Sequence, residues 1–193
     1  MAITMEQIKE LRSRTGAGVV DAKEALTSAD GDMEKAIGWL RERGKAKAAK
    51  KADRLTHEGV VGAYIHSNNK LAVLVGLLCE TDFVARNDKF QELARSIAMH
   101  VAAMDPLVVS PDDVPEAELV QERELAQKQV ADKPAEMQEK IIEGKLKKFR
   151  EERALLTQPY VKDPKKTVQD VINEAIHELG ENVTVKEFTR VAL

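Results

Sequence analysis

The sequence predicts an α+β protein: an N-terminal module of three short helices, a basic helical linker, and a core in which a small three-stranded antiparallel sheet packs with helices and carries an antiparallel helical hairpin. Three observations carry that expectation. Apolar residues recur at helical spacing through residues 4–44 and through most of 87–180. Between residues 59 and 79 the pattern switches to β-rich runs. Clusters of Gly, Pro, Asn and Asp fall where one pattern gives way to the next. The implied division is 1–44, 45–56 and 57–193, with the hairpin at about 115–156.

Thr4 caps the first helix with Gln7 at the capping-box position, and Ile8 and Leu11 form its apolar stripe. Gly16-Ala17-Gly18 ends it, because glycine accepts the positive φ of a helix C-cap. A second helix over 19–27 places Val19, Ala22 and Leu26 on one side. Asp30-Gly31-Asp32 turns the chain into a third, where Met33, Ala36, Ile37 and Leu40 repeat at helical spacing and Gly44 stops the run. Such a unit has a thin core and suits docking better than catalysis. From Arg43 to Arg54 six basic residues stand against one acidic, which reads as a solvated helical connector. An electrostatic contact with a partner protein or with RNA or the ribosome is the alternative use of the same charge.

Residues 59–66 and 71–79 are strand-like and are joined by Ser67-Asn68-Asn69-Lys70, a hairpin turn. The second run is apolar on both faces, with Leu71, Val73, Val75 and Leu77 on one and Ala72, Leu74 and Leu78 on the other. Both faces then need cover, and a second copy of the chain is the economical way to supply it. A helix over 87–104 carries Phe90, Leu93, Ala94, Ile97 and Val101 as its stripe, and Asp105-Pro106 breaks it. Residues 115–130 and 135–155 form the helical hairpin, 158–166 a loop with two prolines, and 167–180 a helix ending at Gly180. The tail from 182 reads as a last strand pairing with the first two.

The chain has 193 residues, 30 Lys and Arg against 33 Asp and Glu, and a net charge of −3, which argues against a protein whose main work is neutralising phosphate. Aromatics are 4%, too few for a base-stacking platform, so no specific nucleic-acid partner is expected. The single cysteine, Cys79, fits a reducing compartment. The first residues carry no signal-peptide pattern and no apolar run spans a membrane, so a cytoplasmic protein without a membrane partner is expected.

A search for chemistry excludes more than it finds. Residues 38–45 have the wrong glycine spacing for a phosphate loop, and Ala46 stands where a magnesium-binding hydroxyl belongs. The four histidines show no ligand spacing, so neither a metal nor a cofactor is expected, and no catalytic constellation emerges. Cys79 lies on an apolar strand and reads as a packed thiol. The segment Thr81-Asp82-Phe83-Val84 resists a bland account. Either Phe83 plugs the local core while Asp82 or Asn87 caps the next helix, or Phe83 is an exposed aromatic anchor for a pocket on another protein.

The stretches 11–26, LRSRTGAGVVDAKEAL, and 79–87, CETDFVARN, closely resemble two signatures of the elongation factor Ts family, the guanine-nucleotide exchange factors for elongation factor Tu. The resemblance continues through 47–52, 97–100 and 158–162, and so covers nearly the whole chain. It implies an N-terminal module like a ubiquitin-associated domain, a linker, and an α+β core that binds elongation factor Tu and dimerises. Many members carry two related halves in that core; this chain has room for one, and a second protomer would supply the other. The resemblance further implies that Thr81, Asp82, Phe83 and Val84 push into the G domain of elongation factor Tu near its Mg²⁺. The ion would be displaced, GDP released, and the factor held until GTP returns. His100 would add a contact, and Val19, Val20 and Lys23 would touch the same G domain from the N-terminal module. Val19 and Val20 depart from the two methionines common in the family, substituting shorter and stiffer side chains.

Overall fold

Helices begin where a side chain can satisfy the first unpaired amides. In the computed structural model, which describes residues 3–193, Thr4 does this for α1 (Met5–Thr15): its hydroxyl accepts from the Gln7 N–H, and the Gln7 side chain accepts from the Thr4 N–H at 2.9 Å. Gly16, at φ 70°, closes the helix with its N–H on the Arg12 carbonyl. α2 (Val19–Ser28) follows, then a turn through Asp30 and Gly31, both at positive φ. α3 (Met33–Ala49) starts at Asp32, whose carboxylate accepts from the Lys35 N–H. After these come β1 (Glu58–Ile65), β2 (Leu71–Cys79), α4 (Asp82–Ala85), α5 (Asp88–Met104), α6 (Glu116–Gln129), α7 (Ala135–Arg153), β3 (Pro159–Tyr160), β4 (Asp163–Thr167), α8 (Val168–Leu179) and β5 (Thr184–Ala192). Three strands form a small antiparallel sheet in the order β1-β2-β5, so the last strand does pair with the hairpin.

Three expectations need correction. Gly44 does not stop α3, which runs to Ala49. A glycine ends a helix when it turns left-handed; the φ of Gly44 is not positive, and the Lys-Ala run after it favours continuation. Val19 is 47% exposed: it stands at the first helical position, outside the cluster in which Ala22, Ala25 and Leu26 make the inward face of α2. Residues 158–166 are not a plain loop. β3 pairs antiparallel with β4, Pro159 opposite Thr167 and Tyr160 opposite Asp163, a two-stranded ribbon in which a proline is tolerated.

The chain forms two compact units. The first comprises Met1–Val60, Leu77–Leu93 and Asp170–Thr184. Its helical core is Ile8, Leu11, Ala22, Ala25, Leu26, Ala36 and Leu40, all buried. The second comprises Val61–Gly76, Ala94–Gln169 and Val185–Leu193. There Val73 and Val75 of β2 and Ala94, Ile97 and Val101 of α5 are buried, and Gly62 of β1 lies so close to α5 that a Cβ would fall 2.5 Å from the Ala94 carbonyl carbon. On the same stretch Val61, Ile65 and Leu74 remain more than half exposed, so within one chain the second sheet face has incomplete cover. α6 and α7 form the helical hairpin, closed on Ala126, Val130, Ile142 and Leu146.

Candidate functional site

The segment after β2 is shaped by one hydroxyl. Thr81 is the N-cap of α4, its Oγ1 accepting from the Val84 N–H, while the Ala85 N–H donates to the Thr81 carbonyl at 3.1 Å. In this single turn Ala85 points inward and is buried, which leaves Phe83 pointing out, 81% exposed. Phe83 therefore does not plug the core. Asp82 pairs with Arg86 at 3.0 Å along the turn. Asn87 does meet the capping expectation for the following helix: its Oδ1 accepts from the Lys89 N–H at 2.9 Å.

Behind the turn lies a group that periodicity and motif gave no reason to single out. Glu181, between α8 and β5, accepts the Glu80 and Thr81 N–H groups at 3.1 and 3.0 Å on Oε2, and the Thr81 hydroxyl at 2.6 Å on Oε1. The clasp is reciprocal: the Glu80 carboxylate accepts the Asn182 N–H at 2.6 Å. The Asn182 amide in turn donates to the carbonyls of Ala52 and Arg54 at 3.3 and 3.0 Å. Only a signal of acidic and amide residues in the 180–182 turn was available in the sequence, and such residues are ordinary there.

Val19, Val20 and Lys23 are all exposed on α2. Asp21 between them faces the other way and ties that turn down, with His177 Nε2 at 3.2 Å, Lys47 at 3.5 Å and Arg43 at 3.5 Å. His100 is not positioned as expected. It has no exposed surface; its Nδ1 accepts the Val161 N–H at 3.2 Å, its Nε2–H donates to Gln158 Oε1 at 3.1 Å, and its ring stacks on Tyr160. Burial holds its pKa below the ordinary value, so the ring is neutral and a direct contact with another protein is closed to it in this state. A polar residue on the buried face of α5 proved to be an internal bonding site, which spacing does not distinguish from a surface one.

The basic connector is also more committed than its composition suggests. Arg43 bonds Asp21 and Glu24; Lys45 bonds Glu42 and Asp170; Lys47 bonds Asp21 and His177. Lys51 donates to the carbonyls of Ile176 and Gly180, and Arg54 pairs with Glu80. Five of its six cations are thus paired inside the chain, which leaves less uncompensated positive charge for an RNA contact. Cys79 is buried, and its pKa is pushed up to about 11 chiefly by that burial, so the thiol is inert. Among the described residues no group of three metal-ligating side chains comes together, and no helix is long and apolar enough to cross a membrane.

An exposed aromatic on a pinned turn, and exposed valines on α2 of the same compact unit, are features of the class of proteins that offer surface to another macromolecule. The family model described as "Elongation factor TS" matches residues 5–193. Elongation factor Ts of Nitratidesulfovibrio vulgaris is 52% identical, covering 100% of this chain and 98% of that protein. The Rubrobacter xylanophilus elongation factor Ts is 51% identical over the full length of both, and that of Thermotoga maritima 52% identical over 98% of this chain and 96% of its own. The chain belongs to the elongation factor Ts family.

Proposed function

We propose that this protein is the guanine-nucleotide exchange factor for elongation factor Tu, acting in the cytoplasm during translation elongation without catalysing a covalent step. One observation carries the reading: Phe83 is offered to a partner at 81% exposure on a turn whose cap and backbone are tied down behind it. A hydrophobic side chain held so far out of its own core has energy to give to another protein's pocket. The turn of Thr81, Asp82, Phe83 and Val84 enters the G domain of elongation factor Tu, with Phe83 as the wedge and Asp82 its polar companion. Mg²⁺ is displaced and GDP leaves. The α1–α3 module, read as like a ubiquitin-associated domain, holds the complex through Val19, Val20 and Lys23. His100 supports α5 from within rather than touching the partner.

The thermodynamics are those of linkage. Whatever factor weakens GDP when the exchange factor is bound also weakens the exchange factor when GDP is bound. A change of about 10⁴ in nucleotide affinity needs roughly 5.5 kcal/mol of preference for the empty state. Burying one aromatic side chain can supply roughly half of this. Phe83→Ala is expected to slow GDP release more than tenfold in a stopped-flow experiment with labelled nucleotide on elongation factor Tu. Acceleration equal to wild type would remove the wedge.

A second reading concerns assembly. The exposure of Val61, Ile65 and Leu74 on the sheet supports a homodimer in which two chains cover this face for each other.

A further inference from the structure

Phe83 is only as effective as the turn beneath it, and that turn is held by a residue outside the motif. We propose that Glu181 is the positioning residue of the wedge; the proposal rests on the exchange reading above. The Glu80 and Thr81 N–H groups precede the first hydrogen bond of α4 and have no helical partner. A single carboxylate takes both, and its other oxygen takes the Thr81 hydroxyl proton at 2.6 Å. That last bond sets the direction of the hydroxyl. With its proton committed to Glu181, Thr81 Oγ1 has only lone pairs to offer forward, and it accepts from the Val84 N–H. The line of action is Glu181 to Thr81 to the α4 turn, and the turn sets where Phe83 points.

The clasp is also anchored from the far side. Asn182, next in sequence, bonds back to Glu80 and to the carbonyls of Ala52 and Arg54, so the segment carrying Glu181 is itself tied to the chain after α3. A carboxylate suits this task because it accepts on both oxygens and donates on neither. A glutamine at 181 would keep one acceptor oxygen and turn an NH₂ group toward donors. Its oxygen could still take the two backbone amides, but its NH₂ could only donate to Thr81 Oγ1, so the hydroxyl proton would lose the acceptor that fixes its direction.

The test is a double-mutant cycle on the full chain, with release of fluorescent GDP from elongation factor Tu measured at increasing factor concentration for wild type, Phe83→Ala, Glu181→Gln and the double variant. Glu181→Gln is expected to lower the plateau rate by about tenfold, the equivalent of one charge-assisted hydrogen bond, and to add nothing in the Phe83→Ala background. A mere folding defect would reduce the active fraction and shift the half-saturating concentration while leaving the plateau. If Phe83→Ala releases GDP at the wild-type plateau, the wedge itself fails and takes this role with it. If Phe83→Ala is slow but Glu181→Gln is not, or if the two losses multiply, the wedge stands and the positioning role is overturned. Should Glu181→Gln melt below the assay temperature, Thr81→Val cuts the same link from the other end and is put through the same cycle, with the same outcomes deciding.

Discussion

Phe83, Asp82 and Thr81 are neighbours with three different fates, and the difference comes from a single turn of helix. Thr81 spends its hydroxyl on a cap, Asp82 its carboxylate on Arg86, and Phe83 stays largely in solvent. Because the ring makes so little of the fold, Phe83→Ala should leave the melting temperature within about a degree or two of wild type, since exposed substitutions rarely exceed about 0.5 kcal/mol. The same variant should lose most exchange activity. A large fall in melting temperature would mean that the ring packs in solution and is not held ready for a partner. The motif made this residue conspicuous in the sequence; whether it faced in or out was open, because an aromatic after a buried strand fits either fate. His100 shows the reverse case. Its helix and its neighbours were legible, yet the side chain bonds Gln158 and the Val161 backbone, partners 58 and 61 residues away that no local pattern announces.

Elements hold together here through close approach and through charge. Gly62 lets β1 sit against α5, and an added methyl would meet backbone atoms at 2.5 and 2.6 Å that cannot swing aside. Gly62→Ala should therefore lower stability by about 1–3 kcal/mol despite the better strand propensity of alanine, read as a melting temperature several degrees lower. An unchanged melt would show that the strand and helix can part without loss. α2, α3 and α8 converge on His177, which receives Lys47 on Nδ1 at 3.1 Å and faces Asp21 on Nε2 at 3.2 Å. Burial first, then the positive charge of Lys47, with Arg43 and Lys51 adding to it against Asp21, lowers the pKa of His177 from 6.5. Burial lowers that of His100 as well. A base whose folded pKa is depressed is favoured neutral, so below pH 6.5 the unfolded chain binds more protons than the native one. Stability is then full above about 6.5 and declines as the pH falls toward the native values, before the carboxylates titrate. Thermal melts from pH 7.5 to 5.5 should show this decline, and His177→Gln should make it shallower, leaving the share due to His100; a level wild-type profile would refute the assignment.

At the scale of the whole molecule, the unresolved demand is the sheet's second face. Val61, Ile65 and Leu74 together present an apolar surface of the kind that usually marks an interface. Light scattering at micromolar concentration should give twice the chain mass of 21.4 kDa, and Leu74→Glu should return it to one. A single-chain mass for the wild type would leave that face to another partner. The demand itself was readable in the alternation of residues 71–78, since a strand apolar on both sides requires two covers wherever it lies. So were the helices with strong stripes and caps, the hairpin strands and the segment around Phe83. These properties depend on residues within a few positions of each other, and periodicity and capping chemistry are local. Tertiary structure decided the rest: that five of the six cations from Arg43 to Arg54 are engaged within the chain, that His100 is buried, and that Glu181 grips a turn one hundred residues earlier. In each case the outcome turns on a partner distant in sequence, and a hydrogen bond or ion pair of that kind exists only once the chain has folded.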